Sequence, residues 1–237
     1  MPMKKIFVIT TIVCLLLAGC TDAQPENSGI TEPAGNMISA DAVNSDTAEV
    51  IPPENARTIH PLPDTTMDNL SDAILSVSLN EGGAYVDDQG RMQMDLKIYT
   101  YDRYDMVDIA MLQLGDTIVR YSGEVRVTSM DKTDSGMICI NGGLENGGFD
   151  LVTDNCGIYF ESEFDDAKNW YEIGEATIRV SADFRGTDFI DPEKGEVILY
   201  PGDFLVGAVT DYNFTPYNTT VRTEDGQIVE MNRIYIP

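Results

Sequence analysis

From Met67 onward, apolar and polar residues alternate in short runs. In Met92-Gln93-Met94-Asp95-Leu96-Lys97-Ile98 the Met, Leu and Ile side chains share one face, and Gln93, Asp95 and Lys97 share the other. Strict alternation over this length predicts a half-buried strand. Ala176 to Phe184 repeats the pattern. Further strands are expected near 70–79, 116–121, 124–130, 136–141, 149–153, 156–163, 196–200, 203–209, 218–223 and 227–236. Turn chemistry separates them: Asn80-Glu81-Gly82-Gly83, Ser122-Gly123, Asp134-Ser135-Gly136, Asn146-Gly147, Pro201-Gly202 and Asp225-Gly226. No twelve-residue window carries a helical stripe. The predicted fold is all-β, a mostly antiparallel sandwich or small barrel.

A weak echo runs through this region. Leu114-Gly115-Asp116-Thr117-Ile118-Val119 precedes Thr133-Asp134-Ser135-Gly136-Met137-Ile138, and Pro201-Gly202-Asp203-Phe204-Leu205-Val206 precedes Thr223-Glu224-Asp225-Gly226-Gln227-Ile228. Two related β-subdomains would produce it. So would unrelated hairpins, because Gly-Asp and Asp-Gly are ordinary hairpin turns.

Residues 21–66 read differently. They hold no aromatic residue, six prolines, eight acidic residues and a single basic one, Arg57. Such a stretch buries too little apolar surface to offset the entropy of ordering, so it is expected to be a disordered tether. The expected organisation is a leader over 1–19, a tether over 20–66 and a β-rich domain over 67–237.

The leader carries the most specific motif. Lys4-Lys5 forms a positive n-region, Ile6–Leu17 an apolar run too short to span a membrane, and Leu17-Ala18-Gly19-Cys20 follows. This resembles the lipobox of bacterial lipoproteins. The resemblance implies diacylglyceryl transfer to the Cys20 thiol and cleavage before it. The protein would then be exported and held on the membrane by lipid, facing outward or into a periplasm.

Charge narrows the partners. Forty Asp and Glu against fifteen Lys and Arg give a formal charge of −25, which repels phosphate backbones and disfavours nucleic acid. The only histidine, His60, falls in the tether, leaving the domain without an imidazole for a nucleophile system or a conventional zinc site. Cys14 leaves with the leader and Cys20 takes the lipid, so Cys139 and Cys156 are expected to form a disulfide outside the cytoplasm.

Carboxylate chemistry remains. Asp102, Asp105 and Asp108 form one concentration and Asp183, Asp188 and Asp191 another, both weak calcium candidates, since calcium takes six to eight oxygens. No other cofactor is expected. Glu161, Glu163, Asp165 and Asp166 are among the many acids available to a glycosidase pair. Tyr99, Tyr101, Trp170 and Tyr171 are candidates for a ligand surface, because exposed aromatics on a rigid β-scaffold suit sugar or peptide contacts. The leading functional expectation is a non-enzymatic binding module of the cell envelope, its partner a glycan or an envelope protein. The alternative is a carboxylate-dependent glycan hydrolase, marked by two facing carboxyls in a cleft, one with a raised pKa.

Overall fold

The computed structural model describes residues 55–237 apart from Asn155, Asp165, Thr210, Asp211, Tyr212 and Pro237. The leader, Cys20 and the tether up to residue 54 lie outside the described residues. The all-β class holds. In chain order the elements are β1 (Thr58–Ile59), β2 (Ile74–Val86), β3 (Met92–Thr100), β4 (Arg103–Asp105), α1 (Met106–Ala110), β5 (Thr117–Arg120), β6 (Gly123–Arg126), β7 (Met130–Lys132), β8 (Ile138–Ile140), β9 (Phe149–Thr153), β10 (Ile158–Phe164), β11 (Ala167–Lys168), β12 (Tyr171–Phe189), β13 (Val197–Leu199), α2 (Pro201–Leu205), β14 (Thr219–Glu224) and β15 (Gln227–Ile234).

Five of these strands close into a barrel. β2 pairs with β3, β3 with β12, β14 with β15 and β14 with β2, all antiparallel, while β12 and β15 run parallel. Counted along the chain, the barrel order is first-second-third-fifth-fourth and back to the first. That order, with its one parallel contact, is the arrangement of an OB-fold barrel. Closure depends on β12, whose 19 residues serve two neighbours. Its early half pairs with β3 up to Arg179↔Gln93, and from Arg179↔Gln227 onward it pairs with β15. β13 adds to the far end of β12.

The alternation read from the sequence fills this barrel. Met94, Leu96 and Ile98 of β3 point inward onto Leu75, Val77 and Leu79 of β2 and Ile178, Val180 and Phe184 of β12. Each such side chain, fully buried, contributes roughly 1.5–3 kcal/mol. Two expectations are corrected here. Asn80–Gly83 is not a turn between strands but a bulge inside β2, where the register with β3 shifts between Leu79 and Ala84. A Cβ on Gly83 would sit 2.8 Å from the Leu79 side chain. Residues 203–209 are not a strand: Pro201 opens α2, the Asp203 carboxylate accepts from the Tyr200 N–H at 2.7 Å, and Phe204 packs edge-on to Phe184. Its fixed φ suits proline to a helix's first turn.

Residues 101–170 are inserted into the β3–β12 hairpin. Thr100 and Tyr171 are register partners, so the chain leaves the barrel and returns at the same point. The insertion makes two sheets, β5-β6, joined at its edge by β1 from ahead of the barrel, and β11-β10-β9-β8-β7 with β4 on β10. Their apolar faces meet in a second core that includes Ile59, Ile118, Ile140, Phe149 and Leu151. The echo falls once in the insertion and once in the barrel, but its counterparts differ in structure, Thr117–Arg120 being a strand and Pro201–Leu205 a helix.

The expected boundary at 67 also moves. Thr58-Ile59 pairs in parallel with Thr117-Ile118, and Ile59 is buried. The Arg57 N–H donates to Asp116 at 2.8 Å and Leu62 N–H to the Arg103 carbonyl at 2.6 Å. A segment poor in apolar residues is ordered by one buried isoleucine and by backbone pairing to a preformed edge. Residues 55–67 form a strap along the insertion and the barrel.

Candidate functional site

The interrupted hairpin gathers residues that are far apart in sequence. Tyr101 stands just past β3, and Trp170 and Tyr171 stand where the chain re-enters it. Tyr101 and Trp170 meet edge to face with centroids 4.8 Å apart, and Phe160 closes on Tyr101 from another side at 6.2 Å. The Lys168 ammonium lies 4.5 Å from the Tyr101 ring centre. Tyr171 stacks on Tyr121 at 4.7 Å. Three of the four candidate aromatics thus come together. Tyr99 does not; its hydroxyl hydrogen-bonds Ser78 at 3.2 Å on the barrel's outer face.

Beneath the aromatics lie two buried carboxylates and one guanidinium. Glu161, 1% exposed, accepts twice from Arg120: Nε donates to Oε2 at 2.6 Å and Nη2 donates to Oε1. Asn169 Nδ2 donates to Glu161 Oε1 at 2.7 Å and lies 2.8 Å from the Tyr171 hydroxyl. Arg120 also covers the Phe149 ring at 4.3 Å. Asp102, 6% exposed, has the Tyr121 N–H as donor to Oδ2 at 2.8 Å. Burial raises the Asp102 pKa and the Glu161 charge adds to the rise, against the pull of the Tyr121 N–H and Arg120. Burial likewise pushes the hydroxyls of Tyr104 and Tyr171 up, with the same carboxylates contributing. Tyr104 donates to the Val119 carbonyl at 3.0 Å.

Above Asp102 opens a cleft of about 380 Å³. Thr100, Tyr101 and Asp102 form one side, Tyr121 and Ile173 another, and the strap from Pro61 to Met67 a third. The strap is fastened there by Asp64, which pairs with Arg103 at 2.9 Å and accepts from the Thr100 hydroxyl at 2.7 Å. Farther on, Met67 covers Gly174, where a Cβ would lie 3.0 Å from its sulfur. Tyr121 stays 57% exposed, with one face spent on Tyr171.

Two roomier hollows differ in chemistry. One, of about 570 Å³, has the Asp188–Arg233 pair in its wall, with both carboxylate oxygens taken by the guanidinium. The other, of about 640 Å³, holds Cys139 and Asp150 beside the glycine-rich loop. Burial and the Asp150 carboxylate push the Cys139 thiol up, away from the reactive thiolate.

The calcium candidates do not converge. Asp105 caps α1 through Val107 N–H at 2.7 Å, Asp108 pairs with Arg57, and Asp102 accepts from the Tyr121 N–H in the wall of the cleft. Asp183 is exposed on β12, Asp188 binds Arg233 through both oxygens, and Asp191 pairs with Lys194. Among the described residues no group of three or more His, Cys, Asp or Glu is placed to hold a metal ion.

The expected disulfide is not formed: Cys139 and Cys156 are free. The strand register explains it. Cys139 faces Asp150 across β8–β9, whereas Cys156 sits beyond β9 in a turn capped by Asp154. At about 3.3 Å per strand residue, the run from Asp150 to Asp154 alone exceeds the reach of a disulfide.

Arg120 was not among the candidates, and Glu161 was one acid among many. The sequence did hold one trace of them: Glu161 follows Tyr159-Phe160 in a strand whose centre is buried throughout, an acid where an apolar residue belongs. The chain matches no family model, no curated protein and no solved structure.

Proposed function

We propose that this protein is a lipid-anchored, extracytoplasmic binding module whose ligand occupies the cleft between barrel and insertion. The observation that carries the reading is the cleft itself: a mostly apolar and aromatic hollow with a few polar groups at its base, the usual build of a small-ligand site. The OB-type barrel supports it only by analogy, since such barrels host many functions. The lipobox at Leu17–Cys20 supports the anchor, and the charge favours a glycan or an envelope protein over nucleic acid.

A hydrolase reading finds one of its two requirements here, a cleft carboxyl of raised pKa in Asp102. Its neighbour Glu161 is held by Arg120 and Asn169, and a locked carboxylate is a poor nucleophile or base. That favours binding over hydrolysis.

Filling the cleft tests the proposal. Ile173→Trp should abolish ligand-induced shifts in the NMR spectrum of the full chain titrated with envelope glycans and peptides. Binding that survives the filled cleft, or hydrolysis lost in Asp102→Asn, would overturn it. Fatty-acid labelling that disappears in Cys20→Ser tests the anchor separately.

A further inference from the structure

We propose that the cleft is built to take a primary ammonium group on an aliphatic arm, as on a lysine side chain, with Asp102 as its counter-ion. The inference rests on the cleft being the binding site and adds the ligand's class.

The charge count is the first support. Asp102 and Glu161 are both more than nine-tenths buried, and Arg120 is the cation that acts on Asp102. Glu161 uses that guanidinium through two hydrogen bonds. Asp102 is left with one backbone N–H. A buried carboxylate without a cation of its own is costly, and a cation arriving from outside removes the cost.

The lining supplies the second. Asp102 forms part of the wall of the cleft, beside Tyr101, Tyr121, Leu62 and Ile173. An ammonium can reach a carboxylate in such surroundings while its methylene arm packs on apolar walls. The face of Tyr121 turned away from Tyr171 adds cation–π attraction. A small hydrated metal ion would gain nothing from these walls, and Asp64, the other acid there, is already paired with Arg103.

The third support is long range. A formal charge of −25 concentrates cations near the surface and repels anionic ligands.

The test titrates the full chain with capped Ala-Lys-Ala and with 1,5-diaminopentane. Capped Ala-norleucine-Ala, 1,5-pentanediol and a neutral oligosaccharide serve as uncharged controls. Saturable binding of the amines is expected, weakened about 10- to 100-fold in Asp102→Asn, the factor a charge-assisted hydrogen bond represents. Asp102→Asn keeps an oxygen for the Tyr121 N–H, so its fold is retained, and a circular dichroism spectrum matching the parent checks this. Binding of both amines fits a lysine arm on a peptide, and binding of the diamine alone fits a free polyamine. Equal binding of a neutral control, unaffected by Asp102→Asn yet blocked by Ile173→Trp, would overturn the amine assignment and leave the cleft standing. Amine binding untouched by either substitution would overturn both, as would no binding by any probe.

Discussion

In the barrel, Arg233 holds Asp188 through both carboxylate oxygens. The guanidinium is 2% exposed, donates to both carboxylate oxygens at 2.9 and 2.5 Å, and lies 4.1 Å over the Phe214 ring. Where the insertion joins the barrel, Arg120 faces two carboxylates, binds one of them twice, and leaves the other with a backbone N–H at the edge of a cleft. Both sites bury ions at a cost, yet only the second leaves a carboxylate that no guanidinium hydrogen-bonds. A carboxylate bound through both oxygens needs nothing further from solvent. One left without that partner beside an opening holds the fold above its lowest attainable energy, as binding sites commonly do.

Removing each guanidinium tests that difference most severely. Arg233→Ala and Arg120→Ala should each destabilise by about 3–5 kcal/mol, the range for breaking a buried pair and stranding its partner. Arg120→Ala strands two carboxylates, Glu161 and Asp102. It should also recover in part as pH falls toward 5, when Asp102, whose pKa burial already raises, takes up its proton. Urea unfolding of both variants at pH 7 and pH 5 gives the comparison. If Arg120→Ala recovered nothing at pH 5, the count of two carboxylates on Arg120 would be wrong.

The backbones of the two modules differ as well. In the insertion, a Cβ on Gly148 would fall 1.9 Å from the Ile140 carbonyl oxygen, while in the barrel bulge a Cβ on Gly83 first meets the tip of Leu79 at 2.8 Å. A side-chain tip can rotate away and a strand carbonyl cannot. Gly148→Ala should therefore cost about 3 kcal/mol and Gly83→Ala about 1 kcal/mol, the upper and lower ends for overpacking. Their thermal midpoints would show it, and equal losses would mean that the β8–β9 connection yields as easily as a rotamer.

The same division governs what was legible in advance. Met92–Ile98 and Ala176–Phe184 were readable because each buries one face only, so the period of two survives in the sequence. The bulge at Asn80–Gly83 and the helix at Pro201 carry turn residues that interrupt strands, cap helices and close hairpins alike, and pattern alone chose the wrong use. The strap failed for another reason: averaging over residues 21–66 hid Ile59, a single anchor. Tyr101, Trp170 and Tyr171 were found because aromatics are few, although their meeting required the hairpin register. The Arg120–Glu161 pair spans 41 positions, and nothing in either local sequence names the other.

A smaller effect separates charge from packing at the junction. Asp102→Asn should stabilise the ligand-free protein by about 1 kcal/mol at pH 7, because neutralising an uncompensated buried ion is neutral to favourable. The sign follows from the raised pKa. The folded carboxyl holds its proton above the ordinary value of 3.8, so the parent loses stability as pH rises through that window and none of it returns at neutrality. Glu161, Arg120, Tyr104 and Tyr171 all act on or respond to this carboxyl, and the substitution leaves them in place. Midpoints of variant and parent should converge below about pH 4 and separate by pH 7. A variant that is less stable at pH 7 would mean that Asp102 is satisfied without a ligand.

The smallest effect concerns the second bridge between the modules, where the Tyr217 hydroxyl ahead of β14 donates to Glu163 on β10. This contact is exposed and involves one carboxylate, the opposite of the buried junction in both respects. Burial and Glu163 push the Tyr217 hydroxyl up to about 12 from its ordinary 10. The unfolded chain ionises first, so the contribution is whole below pH 10 and fades as pH climbs toward 12. Tyr217→Phe should cost only about 0.5 kcal/mol at pH 8, the low end for a hydrogen bond near solvent. The gap between variant and parent should then shrink between pH 10 and pH 12. A loss several times larger would make this contact a second structural hinge and would spread the coupling between modules beyond the junction. A loss near zero would leave the junction contacts, Asn169 Nδ2 to the Tyr171 hydroxyl and the Tyr121 hydroxyl to the Glu172 carbonyl, as the stronger polar link between the insertion and its barrel.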